Sequence, residues 1–109
     1  MFIKDCIEGT KKLFESDCRE VLNIGSEEQV SINQMIKMIE EIADYEVKKN
    51  YQLDKPKGVR GRSSNNDLVR KILGWDTKID LRSGLKATYE WIDQEIGKKL
   101  NNNKFSTKY

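Results

Sequence analysis

The chain has 109 residues, of which 37% are hydrophobic and 35% charged, with a formal net charge of +2. That length suits one small domain or a piece of a larger one, and the near-neutral charge gives no footprint for nucleic acid. The longest apolar run, residues 1–3, excludes a membrane span, and charged residues interrupt any signal-peptide core there, so we expect a cytoplasmic protein.

The first half of the chain predicts a helix, a strand and a second helix. Residues 2–16 place apolar side chains at helical spacing. Residues 20–24 form a short apolar run closed by glycine and serine, which is typical of a buried strand. Ser31 and Gln34 match a capping box, and the apolar face behind it predicts a helix to about residue 43.

The second half predicts one more strand and two more helices. Apolar residues alternate over 45–53, which indicates a strand, and residues 55–64 form a basic, glycine-containing loop. Residues 68–73 predict a short helix that ends at Gly74, and Asp80 is placed to cap a last helix.

These elements predict a mixed α/β fold, rich in helix, with about four helices and two or more short strands. We assign residues 1–100 to one domain and 101–109 to a polar tail that frays. Two short strands do not make an independent sheet, and the apolar helix faces need a cover. We therefore expect this domain to be part of something larger.

The loop 55–62 is the best candidate for a binding site. It holds four cations and two glycines in eight residues, among them Arg60 and Arg62. Arginine offers bidentate forks to phosphate, and glycine lets backbone amides approach an anion. A solvated basic turn explains the same composition, so both interpretations stay open at this point.

Other candidate groups have structural explanations. We interpret residues 25–28 as a connecting turn, and the Tyr45/Lys49 pair as a strand feature, not the helical pair of a catalytic Tyr-x-x-x-Lys motif. Without histidine there is no imidazole chemistry, and two cysteines are too few for a thiolate zinc site. Both thiols are expected to be reduced, with a structural role or none. The scattered carboxylates are expected to be surface charges: Asp5, Glu8, Asp17 and Glu20.

A family resemblance rests on motifs that occur in order over residues 2–96. They are Phe2-Ile3-x-Asp5-Cys6-x-Glu8-Gly9, Val21-x-Asn23-Ile24-Gly25-Ser26, Val30-Ser31-x-Asn33, Gly58-Val-Arg-Gly-Arg62 followed by Leu73-Gly74-Trp75, and Gly84-Leu85-x-x-Thr88-Tyr89-x-Trp91-Ile92. This order resembles the C-terminal part of extended short-chain dehydrogenase/reductases, the NAD-dependent nucleotide-sugar epimerases and dehydratases. Within that family it is most similar to the epimerases that act on GDP-mannose.

The resemblance implies an enzyme of two parts. A Rossmann domain binds NAD, which takes a hydride from the sugar and later returns it, and a C-terminal region closes over the nucleotide sugar. The glycine fingerprint and the catalytic residues of the family would precede Met1. We therefore expect a fragment that lacks the Rossmann domain, binds no NAD and is inactive alone, whereas the intact enzyme is a homodimer.

By similarity, Arg62, with Arg60 as second choice, should meet the diphosphate of the nucleotide sugar. No residue of this chain is predicted to be catalytic, to bind the cofactor or to ligate a metal. Where the family has Ser-Asp-Asn, this chain has Ser64-Asn65-Asn66. Asparagine at 65 can still cap the next helix, but any salt bridge of the aspartate is lost.

Three alternatives remain. The chain could come from a GDP-mannose dehydratase or a UDP-glucuronate decarboxylase or epimerase. Gly58 and Gly61 also match the Gly-x-x-Gly loop of nucleic-acid-binding KH domains. Finally, the domain could be a free-standing interaction module.

Overall fold

Four helices form the regular structure of residues 1–105, the part of the chain that the computed structural model describes, with side chains described to residue 100. Their bounds are Ile3–Glu15 (α1), Ile32–Ala43 (α2), Asp67–Leu73 (α3) and Leu81–Phe105 (α4). All four helices were predicted. The last one runs five residues into the predicted tail, and residues 106–109 of that tail lie outside the described residues.

Helix α2 begins at the predicted capping box. The Ser31 hydroxyl accepts a hydrogen bond from the Gln34 amide at 3.1 Å, and the Ser31 amide donates to Gln34 Oε1 at 2.7 Å. The helix ends at Asp44, whose φ of 51° is left-handed. Its partner is α4, and Arg82 of α4 forms an ion pair with Glu41 of α2.

The small core lies where the chain after α3 meets α1. Val69 of α3 and Trp75, just after it, are 1% and 2% exposed. The chain reaches Trp75 through Gly74, whose φ of 58° suits the predicted glycine cap. Trp75 packs on Gly9 of α1 so closely that a Cβ atom at Gly9 would lie 2.8 Å from the indole Cη2.

Asp5 fastens α1 to the segment before α4. Its carboxylate is 1% exposed, and Oδ2 accepts hydrogen bonds from the amides of Lys78 at 3.1 Å and Ile79 at 2.9 Å. The prediction that Asp5 is a surface charge is therefore wrong. The burial is permitted because two backbone donors replace the lost water.

Neither predicted strand forms within the described residues: residues 20–24 and 45–53 have no ladder partner there. Residues 45–53 bond to side chains of α2 instead. The Val47 amide and the Lys49 ammonium donate to the two carboxylate oxygens of Glu40, and the Tyr51 hydroxyl donates to Asn33. The mixed α/β assignment is accordingly corrected to four helices for this part of the chain, because a strand needs a neighbouring strand and neither segment finds one.

Much of the apolar surface is uncovered. The radius of gyration is 19.1 Å, against about 13 Å for a compact domain of this length. An apolar groove runs between α2 and the segment that follows it, lined by Ile36, Ile39, Ala43, Tyr45, Val47 and Tyr89. The described helices include none that is long and apolar enough to cross a membrane.

Candidate functional site

Arg62 lies on a cleft of about 430 Å³ that two segments form between them. Residues 23–26, which follow α1, line one side, and residues 62–64, at the end of the basic loop, line the other. Met1 and Glu28 complete the lining. The structure thus brings the predicted Arg62 together with the Gly25-Ser26 turn that the sequence suggested only as a connection.

The two sides of the cleft are held in direct backbone contact. The Ser64 amide donates a hydrogen bond to the Ser26 carbonyl at 2.9 Å. Gly25 permits this approach, because a Cβ atom there would lie 2.6 Å from the Cβ of Ser64. One residue before Arg62, Gly61 packs against the Gln29 side chain, which a Cβ would overlap. Proximity therefore requires glycine at position 25, whereas at position 61 the exposed Gln29 side chain can move aside.

Asn66 stabilises the contact between the two sides of the cleft through its hydrogen bond to Gly25. It is fully buried, at 0% exposure. Its amide Nδ2 donates to the Gly25 carbonyl at 2.8 Å and to Asp76 Oδ1 at 2.9 Å. Its backbone N–H donates to Glu27 Oε1 at 3.0 Å. The side chain and the backbone N–H of Asn66 therefore connect three segments: the turn at residues 25–28, the start of α3 and the chain after α3.

Arg70 lies on the solvent side of Asn66 and forms a polar cluster with Asn66, Glu27 and Asp76. Its guanidinium makes a bidentate pair with Glu27, at 2.9 and 3.1 Å, and also contacts Asp76 at 2.7 Å and Asp67 at 2.8 Å. The hydrogen bonds from Arg70 and Asn66 lower the pKa of Asp76 to about 2. Those from Arg70 and the Asn66 backbone also lower the pKa of Glu27. Both carboxylates are ionised at neutral pH and are held by these hydrogen bonds, so neither is a free base.

The remaining acidic group beside the cleft is also in use. Glu28 Oε2 accepts from the Leu81 amide at 2.7 Å, and Asp80 Oδ1 accepts from the Ser83 amide at 2.7 Å, as predicted for the cap of α4. Because Glu27 and Glu28 are both committed to structural bonds, the interpretation of residues 25–28 as a turn is consistent with the contacts. Their charge does not pair with Arg62.

The two predicted site residues differ in placement. Both Arg60 and Arg62 are exposed, and among the described residues neither guanidinium forms an ion pair. Arg62 lines the cleft, whereas Arg60 is not part of its lining. An arginine without a carboxylate partner keeps its donors for an anion. The first choice of the sequence analysis is thus in the better position.

Asn65 lies one residue before the N-cap of α3, not at the cap itself. Its Oδ1 accepts from the Asp67 amide at 2.9 Å at the start of α3. The N-cap position of α3 is Asn66, and the Asn65 bond is therefore an Asx turn just before the helix, which needs an oxygen acceptor but no charge. The resemblance to a KH loop fails on structure, because residues 45–66 before α3 include no helix to precede the glycines.

Three residues of the cluster escaped the sequence analysis: Asn66, Arg70 and Asp76. Their partners lie up to 43 residues away in the chain, so no local pattern marks them. The described residues also hold no group of three or more potential metal ligands, and both cysteines are free thiols.

The described residues do not fit an NAD site. Binding of a dinucleotide needs a glycine-rich turn between a strand and a helix. Here Gly25 is followed by two glutamates that are both engaged, and Gly58 and Gly61 belong to the basic loop.

Comparison with known proteins finds no matching family model, but it does find relatives. The chain is 44% identical over 99 residues to GDP-mannose 3,5-epimerase of Arabidopsis thaliana, covering 89% of this chain and 26% of that protein. It is 33% identical over 77 residues to GDP-L-fucose synthase 1 of the same plant, covering 71% and 24%. It is 27% identical over 96 residues to UDP-glucuronate 4-epimerase of Thermodesulfobacterium geofontis, covering 87% and 30%.

The resemblance seen in the motifs is therefore confirmed. The relatives are Rossmann-type extended short-chain dehydrogenase/reductases, and related epimerases and dehydratases are in general NAD-dependent. The chain spans about a quarter of the length of the relatives it matches.

Proposed function

We propose, because this chain is a homologue of the nucleotide-sugar epimerases among the extended short-chain dehydrogenase/reductases, that it forms the substrate-binding part of such an enzyme. Arg62 binds the diphosphate of the nucleotide sugar, and Arg60 assists from the same loop. GDP-mannose is the substrate that the sequence motifs favour. NAD and the catalytic residues come from a Rossmann domain that completes the enzyme, a homodimer, and this chain alone turns over no substrate.

The position of Arg62 supports this proposal most strongly. Its guanidinium is exposed on a cleft whose two walls are joined by a backbone hydrogen bond. All the nearby carboxylates of the cluster are occupied by Arg70, Asn66 or the start of α4. A diphosphate entering the cleft therefore meets the unpaired guanidinium of Arg62, whose donors suit a doubly charged ligand. Glu28 is the one carboxylate that lines the cleft, and its Oε2 is bound to the Leu81 amide.

The test is a titration of the 109-residue chain with GDP-mannose, followed by chemical shifts of the backbone amides. We expect shifts centred on residues 23–26 and 62–64. Arg62→Ala should weaken binding about 10- to 100-fold, because a charge-assisted hydrogen bond contributes about 1.5–3 kcal/mol. Arg60→Ala should have the smaller effect, since Arg60 does not line the cleft.

Lys57→Ala is the matched control. It removes the same charge from the same exposed loop without touching the cleft, so it should leave the affinity within about threefold, as expected for a screened surface charge. Equal losses in the Arg62 and Lys57 variants would mean that only the net charge of the loop matters, and would refute the diphosphate site. Binding of RNA with steep salt dependence, in place of GDP-mannose, would refute it as well.

A further inference from the structure

We propose that Asn66 is the positioning residue of the Arg62 loop, an inference that rests on the proposed function for its consequence in binding. The loop 55–64 has no regular structure of its own. Two hydrogen bonds hold Arg62 at the cleft, from the Ser64 amide to the Ser26 carbonyl and from the Asn66 side chain to the Gly25 carbonyl. Of the two donor residues, Asn66 is the fully buried one, and it also donates to Asp76, which does not line the cleft.

The chemistry of the site requires an amide at position 66. Nδ2 donates both of its protons, one to the Gly25 carbonyl and one to the Asp76 carboxylate. Both neighbours are acceptors, so a carboxylate of the same size would lose two hydrogen bonds and face Asp76 as a like charge. In a fully buried position neither loss is relieved by water.

Asn65 supplies a matched comparison one residue away. Its side chain acts only as an acceptor, from the Asp67 amide, and it is exposed. An aspartate accepts the same bond equally well. Asn65→Asp and Asn66→Asp are therefore the same chemical change at neighbouring positions. A large effect is expected only at position 66.

The first measurement needs no ligand. In Asn66→Asp the exchange rate of the Ser64 amide with deuterium should rise at least about tenfold, because the turn that holds its acceptor is released. In Asn65→Asp it should stay within about twofold. Far-ultraviolet circular dichroism should show unchanged helix content in both variants. An unchanged Ser64 exchange rate in folded Asn66→Asp would overturn the inference.

If Asn66→Asp does not fold, Asn66→Ala gives the same test without introducing a charge. It removes the Nδ2 donor of the Gly25 carbonyl and leaves Gly25 and Ser64 unchanged. Faster Ser64 exchange in Asn66→Ala would support the inference, and a wild-type rate would overturn it.

The second measurement is the affinity for GDP-mannose as a function of pH. The introduced carboxyl faces the carboxylates of Asp76 and Glu27, with the guanidinium of Arg70 beyond them. Burial and these charges favour its protonated form, which can donate one hydrogen bond. Between pH 7.5 and 5, Asn66→Asp should start about tenfold weaker than wild type and regain affinity as the pH falls. Wild type should stay flat, because a diphosphate diester has no proton to gain in this range.

These outcomes separate the two proposals. Faster Ser64 exchange without any wild-type response to GDP-mannose would support the positioning role and refute the diphosphate role of Arg62. Binding that Arg62→Ala abolishes but Asn66→Asp leaves unchanged at every pH would support the diphosphate role and overturn the positioning role.

Discussion

Replacing Asp5 tests whether a buried carboxylate ties the first helix to the last. Both bonds, from the amides of Lys78 and Ile79, end on the same oxygen, Oδ2. Asp5→Asn keeps an oxygen at that place but removes its charge, so two charge-assisted bonds become neutral ones. Since the charged form exceeds the neutral one by roughly 0.5–1 kcal/mol per bond, the expected loss in the free energy of unfolding is about 1–2 kcal/mol.

Asp5→Ala is the more severe change. It leaves two amides near the core without an acceptor, at about 1–3 kcal/mol each, or about 2–6 kcal/mol together. That is a large fraction of the roughly 5–15 kcal/mol by which domains are stable. This variant is expected to be partly unfolded at 25 °C.

Urea unfolding followed by circular dichroism measures both changes. With a slope of about 1 kcal/mol per molar urea for a small chain, the Asp5→Asn midpoint should fall by about 1–2 M. Glu8→Gln is the control. Glu8 lies one turn along the same helix and pairs with Lys78 Nζ at 2.6 Å, but the Lys78 side chain is 66% exposed. That pair contributes about 0–1 kcal/mol. Equal midpoints for Asp5→Asn and Glu8→Gln would refute the reasoning.

Three further changes test the packing and charge of the same framework. The lowered pKa of Asp76, about 2 against an ordinary 3.8, adds stability that is present above pH 4 and lost as the pH falls toward 2; Arg70→Met should flatten that part of a plot of melting temperature against pH. Gly9→Ala, whose Cβ would lie 2.8 Å from the buried indole, should cost about 1–3 kcal/mol in urea unfolding, whereas Gly97→Ala, with open space around it, should stabilise α4 by about 0.5–1 kcal/mol. Ser31→Ala should lower the unfolding free energy by about 1 kcal/mol through loss of the α2 cap, and an unchanged midpoint would contradict the capping geometry.

The helices could be predicted because their signals are local. The capping box at Ser31, the glycine at position 74 and the cap at Asp80 each act within three or four residues, and each was found where the sequence placed it. The strands could not be predicted in the same way. An alternating pattern at 45–53 specifies a chain ready to pair, but the pairing depends on a neighbour that the pattern does not contain.

The candidate site was only half visible in the sequence. The motif resemblance singled out Arg62, and the cleft position agrees with that choice without testing it. The contact that holds the loop in place is non-local: Asn66 meets the carbonyl of Gly25, 41 residues away. Asp5 was misjudged for the same reason, because its donors lie more than 70 residues along the chain. Burial that arises from such distant contacts leaves no trace in spacing or composition.

Three consecutive residues of the turn at 25–28 each bind a different part of the chain. The Ser26 carbonyl holds the Ser64 amide, the Glu27 carboxylate holds Arg70, and the Glu28 carboxylate holds the start of α4 at Leu81. A one-residue insertion or deletion in this tripeptide would displace the acceptors of all three contacts at once. Length changes in homologous chains should therefore be found in the exposed stretch around residues 54–58 and be excluded between positions 25 and 28.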